Sequence, residues 1–260
     1  HTGKPYRAET YETLSVDLRS QASAWQKYSH FGKAVKQAAT KFQPKIVYAH
    51  DYFCALWGWQ SARRTRAKLV YDAHELIIPE KGLHYGLRDR LFQRLEAWTV
   101  KRTKLVVAAN MPRAMRMVRH YRLPNLPLIV RNVPEPFEMP ERTRTDEGFV
   151  LLYQGDLSLS RGLGKFVEAL AILPDWVRLR FVGDGPDREV LETLVMDMNL
   201  GYRVTFTGKL PFTALPEEMA NADVGLLSYV ATDANNVFCA PNKVYEYAQA
   251  GLPMVAVGSR

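Results

Sequence analysis

Apolar and polar positions along this chain fall into two rounds of the same rhythm. From Lys45 onward, apolar runs of strand length recur as IVYAH (46–50), KLVYDAH (68–74), KLVVAAN (104–110) and LPLIVRN (126–132). The stretches between them are helical in pattern and long enough for right-handed crossovers. The rhythm restarts with FVLLYQG (149–155), VRLRFVG (177–183), RVTFTG (203–208), DVGLLSY (223–229) and PMVAVG (253–258). Helices are predicted there over about 162–173, 187–199, 213–221 and 242–250. Near-continuous apolar strands alternating with helices predict parallel sheets covered by helices. Ahead of Lys45 the pattern predicts a strand at 13–18 and a helix in which Trp25, Tyr28, Phe31, Val35 and Phe42 recur at helical spacing.

Residues 133–148, VPEPFEMPERTRTDEG, are rich in proline and charge and have no periodicity, so they read as a linker. The chain therefore divides into a first domain at 1–132, the linker at 133–148 and a second domain at 149–260. The economical fold class is α/β, with two Rossmann-like domains facing across a cleft that would hold the active site. The chain opens at His1 without a methionine and stops at Arg260 just after a predicted strand. It reads as a fragment of a longer protein, incomplete in both domains.

Charge changes this picture, because it is unevenly shared. Residues 1–140 hold 24 Lys+Arg against 11 Asp+Glu, or +13, and residues 141–260 hold 11 against 16, or −5, which sum to the overall +8. A basic first half suits an anionic surface or ligand, with a membrane leaflet and nucleic acid both open. Its helix at 83–102 sets Leu87, Leu91, Leu95 and Trp98 on one face and Arg88, Arg90, Arg94, Lys101 and Arg102 elsewhere. In the next helix Arg113, Arg116, Arg119 and Arg122 form a slowly drifting cationic band. No apolar run approaches the roughly 20 residues that span a bilayer. Two cysteines, Cys54 and Cys239, in 260 residues argue for a reducing compartment. The expected location is cytoplasmic, peripheral on the inner face of the membrane.

Ligands of open parallel sheets bind beyond the carboxyl ends of the strands. Two strands of the first half end in His50-Asp51 and His74-Glu75, and a third ends at Asn110. A neutral imidazole near pH 7 can exchange a proton with a sugar hydroxyl. His74, Glu75 and His50 are therefore the acceptor-side candidates, with His74 first. No metal site is expected, since adjacent His-acid pairs lack the helical spacing of a zinc site. In the second half, Gly155, Gly183 and Gly208 close three strands, and a helix start carries Pro241, Asn242 and Lys243, with Glu246 on its first turns. A helix start of this kind attracts phosphate through its free N–H groups and its dipole. GDGPDR lacks the third glycine of the dinucleotide fingerprint, which disfavours hydride transfer.

The motifs LLYQGDLSLSRGLGKFVEAL, LRFVGDGPDREVLETL, VTFTGKLP, ADVGLLSY and APNKVYEYAQAGLPMVA, in this order, resemble the family 4 (group 1) glycosyltransferases of the GT-B fold. VYAHDY, VYDAHEL and RNVPEP in the first half agree less specifically. The resemblance implies retaining transfer of a sugar from a nucleotide-sugar donor to a glycan or lipid-linked acceptor, as in polysaccharide biosynthesis. It implies no metal and no cofactor, since protein cations and helix dipoles would neutralise the leaving diphosphate. Arg161 would clamp the diphosphate and stabilise developing charge, which with His74 makes the catalytic pair. Glu246 would accept the ribose hydroxyls, with Lys243 and the N–H groups of Asn242 to Val244 on the diphosphate. Gly155 would let the backbone approach, and Gly208, Lys209 and Leu210 would meet the base. Two departures are visible: Phe238 stands where the family carries a first glutamate, and Asp156 where many relatives have an arginine. A nucleotide-sugar epimerase or phosphorylase of the same fold, and a basic polyanion-binding module, stay open as alternatives, though no nucleic acid partner is expected.

Overall fold

The computed structural model describes residues 23–79, 84–145, 148–230 and 234–257. The strand expected at 13–18 lies outside them. By backbone proximity the chain forms two compact units, residues 1–74 with 88–107, and residues 75–87 with 108–260. No helix among the described residues is long and apolar enough to cross a membrane.

The first round of the rhythm builds a four-stranded sheet in sequential order, β1 (Ile46–His50), β2 (Lys68–Ala73), β3 (Leu105–Ala108) and β4 (Leu128–Ile129). Strands β1 and β2 run parallel, and their register sets His50 opposite Asp72. Helix α1 (Ala24–Phe42) starts on a capping box, in which Ser23 and Gln26 each bond the other's backbone N–H. Helix α2 (Tyr52–Thr65) follows β1 directly, with the Asp51 carboxylate accepting from the Tyr52 N–H at 2.9 Å. The run at 126–132 yields only the two-residue β4. Pro127, immediately before β4, has no N–H to give to a ladder that starts earlier.

Helix α3 (Leu87–Val100) does not bury its leucine stripe. Leu87 is 87% exposed and Leu91 is also exposed, whereas Glu96, Thr99 and Val100 are buried. The turn of the helix is decided by Glu96, whose carboxylate accepts from the Tyr71 hydroxyl at 2.5 Å inside the first unit. Helix α4 (Met111–Tyr121) departs from the expected cationic band as well. Arg119 and Arg122 are exposed, but Arg113 is buried with the core-facing Ala114 and Met117. Its guanidinium is drawn inward by backbone carbonyls described below.

The second round builds a five-stranded sheet in the order β7-β6-β5-β8-β9, from β5 (Phe149–Gln154), β6 (Val177–Val182), β7 (Val204–Gly208), β8 (Val224–Ser228) and β9 (Met254–Val257). All its pairings are parallel. Two cores sandwich it, as the period of two demands. Tyr153, Leu179 and Phe181 point to one face, packing on Phe166, Val167 and Leu170 of α5 (Gly164–Ala171) and Leu191 of α6 (Arg188–Asp197). Val150, Leu152 and Val182 point to the other, against Met219 of α7 (Leu215–Ala220) and Tyr247 of α9 (Asn242–Gln249). The strand order reverses direction between β5 and β8, so their carboxyl ends diverge and leave a crevice.

Candidate functional site

A cavity of about 600 Å³ occupies that crevice, within the second unit. Each wall is the end of an element. Gln154 ends β5 and Gly155 and Asp156 follow it, Val182 ends β6 and Gly183 and Asp184 follow it, Lys209 and Leu210 follow β7, Tyr229 follows β8, and Pro241, Asn242, Lys243 and Glu246 lie at or near the start of α9. Helix α9 begins at Asn242, as the sequence predicts, and Pro241 stands one position ahead of it as the cap residue rather than in the first helical position.

Lys243 is buried, and its ammonium lies 4.7 Å from the centre of the Tyr153 ring and 5.5 Å from that of Tyr229. Gly155 makes room for it. A Cβ at Gly155 would come within 2.5 Å of Lys243 Nζ, and its φ of +134° also suits glycine. Burial first, and Arg161 second, push the Lys243 pKa down to about 8, against the opposing pull of Glu246 and Asp156. Arg161 closes a short 3₁₀ turn (Leu159–Arg161) and lies 4.8 Å from the Tyr229 ring centre, with its carbonyl held by the Ser228 hydroxyl. Two cations thus share the Tyr229 ring.

Glu246 is buried beside them. Burial raises its pKa, countered by the hydrogen bond from Gln154 Nε2 and by Lys243. Gln154 is 3% exposed, and its Oε1 meets no donor among the described residues. The arrangement can take an anion against Lys243 and Arg161 and hydroxyl groups against Glu246 and Gln154.

Of the expected donor-side residues, Gly155, Lys209, Leu210, Asn242, Lys243 and Glu246 line this cavity. Arg161 reaches it through Tyr229. Val244 packs into the core, and its N–H donates to the Pro241 carbonyl at 3.1 Å rather than toward the cavity. Gly208 ends β7 just behind the wall, its carbonyl accepting from the Gly183 N–H at 2.9 Å. Tyr153, Gln154, Asp184 and Tyr229 add to the expected set. All four lie at or beside the ends of strands that the sequence marks, which is the signal that finds them.

In the first unit, His50 and His74 come together with rings 4.1 Å apart at the carboxyl ends of neighbouring strands. Both face Asp72, at 3.2 Å from His50 Nδ1 and 3.9 Å from His74 Nε2, and the Tyr48 hydroxyl donates to the same oxygen at 2.7 Å. Asp72 was not legible as a partner because it is adjacent to neither histidine in sequence. It shares a face with His74 through the period of two and faces His50 through register. The three residues offer ligand atoms within 4.8 Å of one another, a donor set that a divalent cation can use, which reasoning on adjacent pairs does not find. Glu75 is exposed.

Residues 3–131 match the model of Glycosyltransferase Family 4, and residues 148–259 match that of Glycosyl transferases group 1. Both halves of the chain therefore match glycosyltransferase family models. It is 30% identical over 168 residues to the 2-deoxystreptamine glucosyltransferase of Streptomyces kanamyceticus, covering 61% of this chain and 41% of that enzyme. Anabaena HepE in complex with UDP superposes with a TM-score of 0.69 at 19% identity, over 89% of this chain and 64% of that one. Sucrose-phosphate synthase from Thermosynechococcus elongatus gives 0.70 at 19% identity, over 95% and 64%. The chain thus has the GT-B fold of those structures, and it spans less than two thirds of each of these relatives.

Proposed function

We propose that this chain acts as a retaining glycosyltransferase that moves a sugar from a uridine diphosphate sugar to a glycan or lipid-linked acceptor, without a metal ion or cofactor. The observation that carries the reading is the cavity at the β5/β8 crevice, with two cations on one ring and a buried carboxylate beside them. In this reading Lys243 and Arg161 neutralise the diphosphate as it leaves, and Glu246 accepts the ribose hydroxyls. Gln154 Oε1, buried without a donor among the described residues, takes a further hydroxyl. Uridine is favoured because HepE is solved with UDP and with UDP-glucose, and a pneumococcal O-GlcNAc transferase with UDP and GlcNAc. His74, His50 and Glu75 serve the acceptor. The +13 first half supports a peripheral, cytoplasmic place on anionic lipid.

Calorimetry and thermal shift with UDP-, GDP- and dTDP-sugars test the donor half of the reading on wild type and Glu246→Ala. UDP-sugar is expected to bind wild type, and Glu246→Ala to bind at least about tenfold more weakly, as loss of hydrogen bonds to a charged group implies. Equal binding to both proteins sinks the ribose role. Incubation with donor alone separates an epimerase, which alters the sugar without acceptor. Turnover unchanged in a chelator is expected if no metal takes part, and loss of turnover there would direct attention to His50, Asp72 and His74. Flotation with anionic but not neutral vesicles checks the membrane assignment.

A further inference from the structure

The segment leading into α9 carries a helical turn, α8 (Ala234–Val237), that is held from a distance. A single turn leaves its last carbonyls without partners in the helix. Arg113 supplies donors for them from α4: its Nε donates to the Phe238 carbonyl at 2.9 Å, and its Nη2 to the Asn235 carbonyl at 3.1 Å and to Asn235 Oδ1 at 2.7 Å. Asn110 joins in with both ends of its amide. Its Oδ1 caps α4 on the Arg113 N–H at 2.9 Å, and its Nδ2 donates to the Phe238 carbonyl at 2.9 Å. Asn235 Oδ1 also accepts from the Leu76 N–H at 3.2 Å. All of these groups belong to the second unit.

Arg113 is 6% exposed, and burying a guanidinium is costly unless its donors are spent well. It spends them on two backbone carbonyls and one side-chain oxygen more than a hundred residues away. The segment so gripped leads directly into Pro241 and Lys243, which line the cavity. We infer that Arg113 is a positioning residue for the cavity: it holds residues 234–238 so that the start of α9, with Pro241 and Lys243, stands in place before a ligand arrives. The ligand then binds an arranged site and is spared the cost of ordering it. This inference rests on the donor reading given above, and it assigns a role in that site to a residue that lines none of it.

The test measures UDP affinity by calorimetry at a temperature where every protein is folded, in wild type, Arg113→Ala, Asn235→Ala and Asn235→Asp. Arg113→Ala and Asn235→Ala are expected to weaken UDP about tenfold, and Asn235→Asp, which keeps the acceptor oxygen, to stay within about threefold of wild type. Amide exchange over 234–240 is expected to rise in the two alanine variants and to be suppressed again by saturating UDP. A merely structural role lowers melting temperature and leaves the affinity of the folded protein unchanged, and that result would overturn the inference. If Arg113→Ala does not fold, the Asn235 pair decides: equal UDP affinity of its Ala and Asp forms also overturns it. Failure of wild type to bind UDP overturns the donor reading instead.

Discussion

Lys243 is a cation placed where cations are disfavoured, away from water and near Arg161. Its pKa falls from 10.5 to about 8, a cost on the order of 3 kcal/mol when it is charged. The sign follows from the folded value being the lower one. The penalty is absent above the unfolded pKa of 10.5, grows as pH falls, and is complete below about 8. An anion in the cavity reverses the balance by favouring the charged form. Lys243→Met is therefore expected to raise the melting temperature of the free protein at pH 7 by at least about 3 °C while weakening UDP at least about tenfold. In wild type, UDP affinity is expected to decline as pH rises through about 8, because the site must then first take up a proton. Scanning calorimetry and titrations at several pH values check both. A Lys243→Met protein that is no more stable than wild type would contradict the assigned burial cost.

At the scale of elements, α3 shows how one polar contact outranks an apolar stripe. Leu87 and Leu91 would have chosen one rotation of the helix, yet the helix buries Glu96 against Tyr71, both almost fully enclosed. A buried acid deprived of a hydrogen bond costs more than a leucine left in water, which is ordinary on protein surfaces. Tyr71→Phe is expected to destabilise the chain by about 1–3 kcal/mol in urea melts, since Glu96 loses a donor while almost no volume is removed. A change within about 0.5 kcal/mol, the range of surface substitutions, would mean that the contact does not set the helix. Helix α4 teaches the same lesson in the second unit. Its arginines recur every three residues in sequence, but Arg113 is buried and Arg119 and Arg122 are exposed, because Arg113 meets carbonyls that need donors.

At the scale of the whole molecule, the stretch read as a linker is not loose throughout. Asp223, at the start of β8, accepts from Arg142 at 2.9 Å, Arg144 at 2.8 Å and the Val150 N–H at 2.8 Å, and Asn221 Oδ1 accepts from the Thr143 and Arg144 N–H groups. Burial pushes the Asp223 pKa up, but these partners outweigh it and the net shift is downward from 3.8. Its contribution is thus present above the ordinary carboxylate range and is lost only as pH falls below it. Asp223→Asn is expected to speed tryptic cleavage after Arg142 and Arg144 several-fold at neutral pH. Unchanged cleavage would show that the backbone bonds to Asn221 suffice.

Sequence alone determined the alternation of strands and helices, the start of α9 at Asn242 and most of the cavity wall, because strand ends and helix starts are local events written in adjacent residues. It also marked Lys243, Glu246 and Arg161 as a group through their motifs. Tertiary structure decided what depends on register and on distant partners. It set Asp72 between His50 and His74, laid Arg161 and Lys243 on the Tyr229 ring, and turned Val244 into the core. It also drew Arg113 inward to carbonyls more than a hundred residues further along the chain. Periodicity reports which face a side chain shares with its neighbours, whereas hydrogen-bond demand from remote backbone, carried by no local pattern, settles which polar groups are buried.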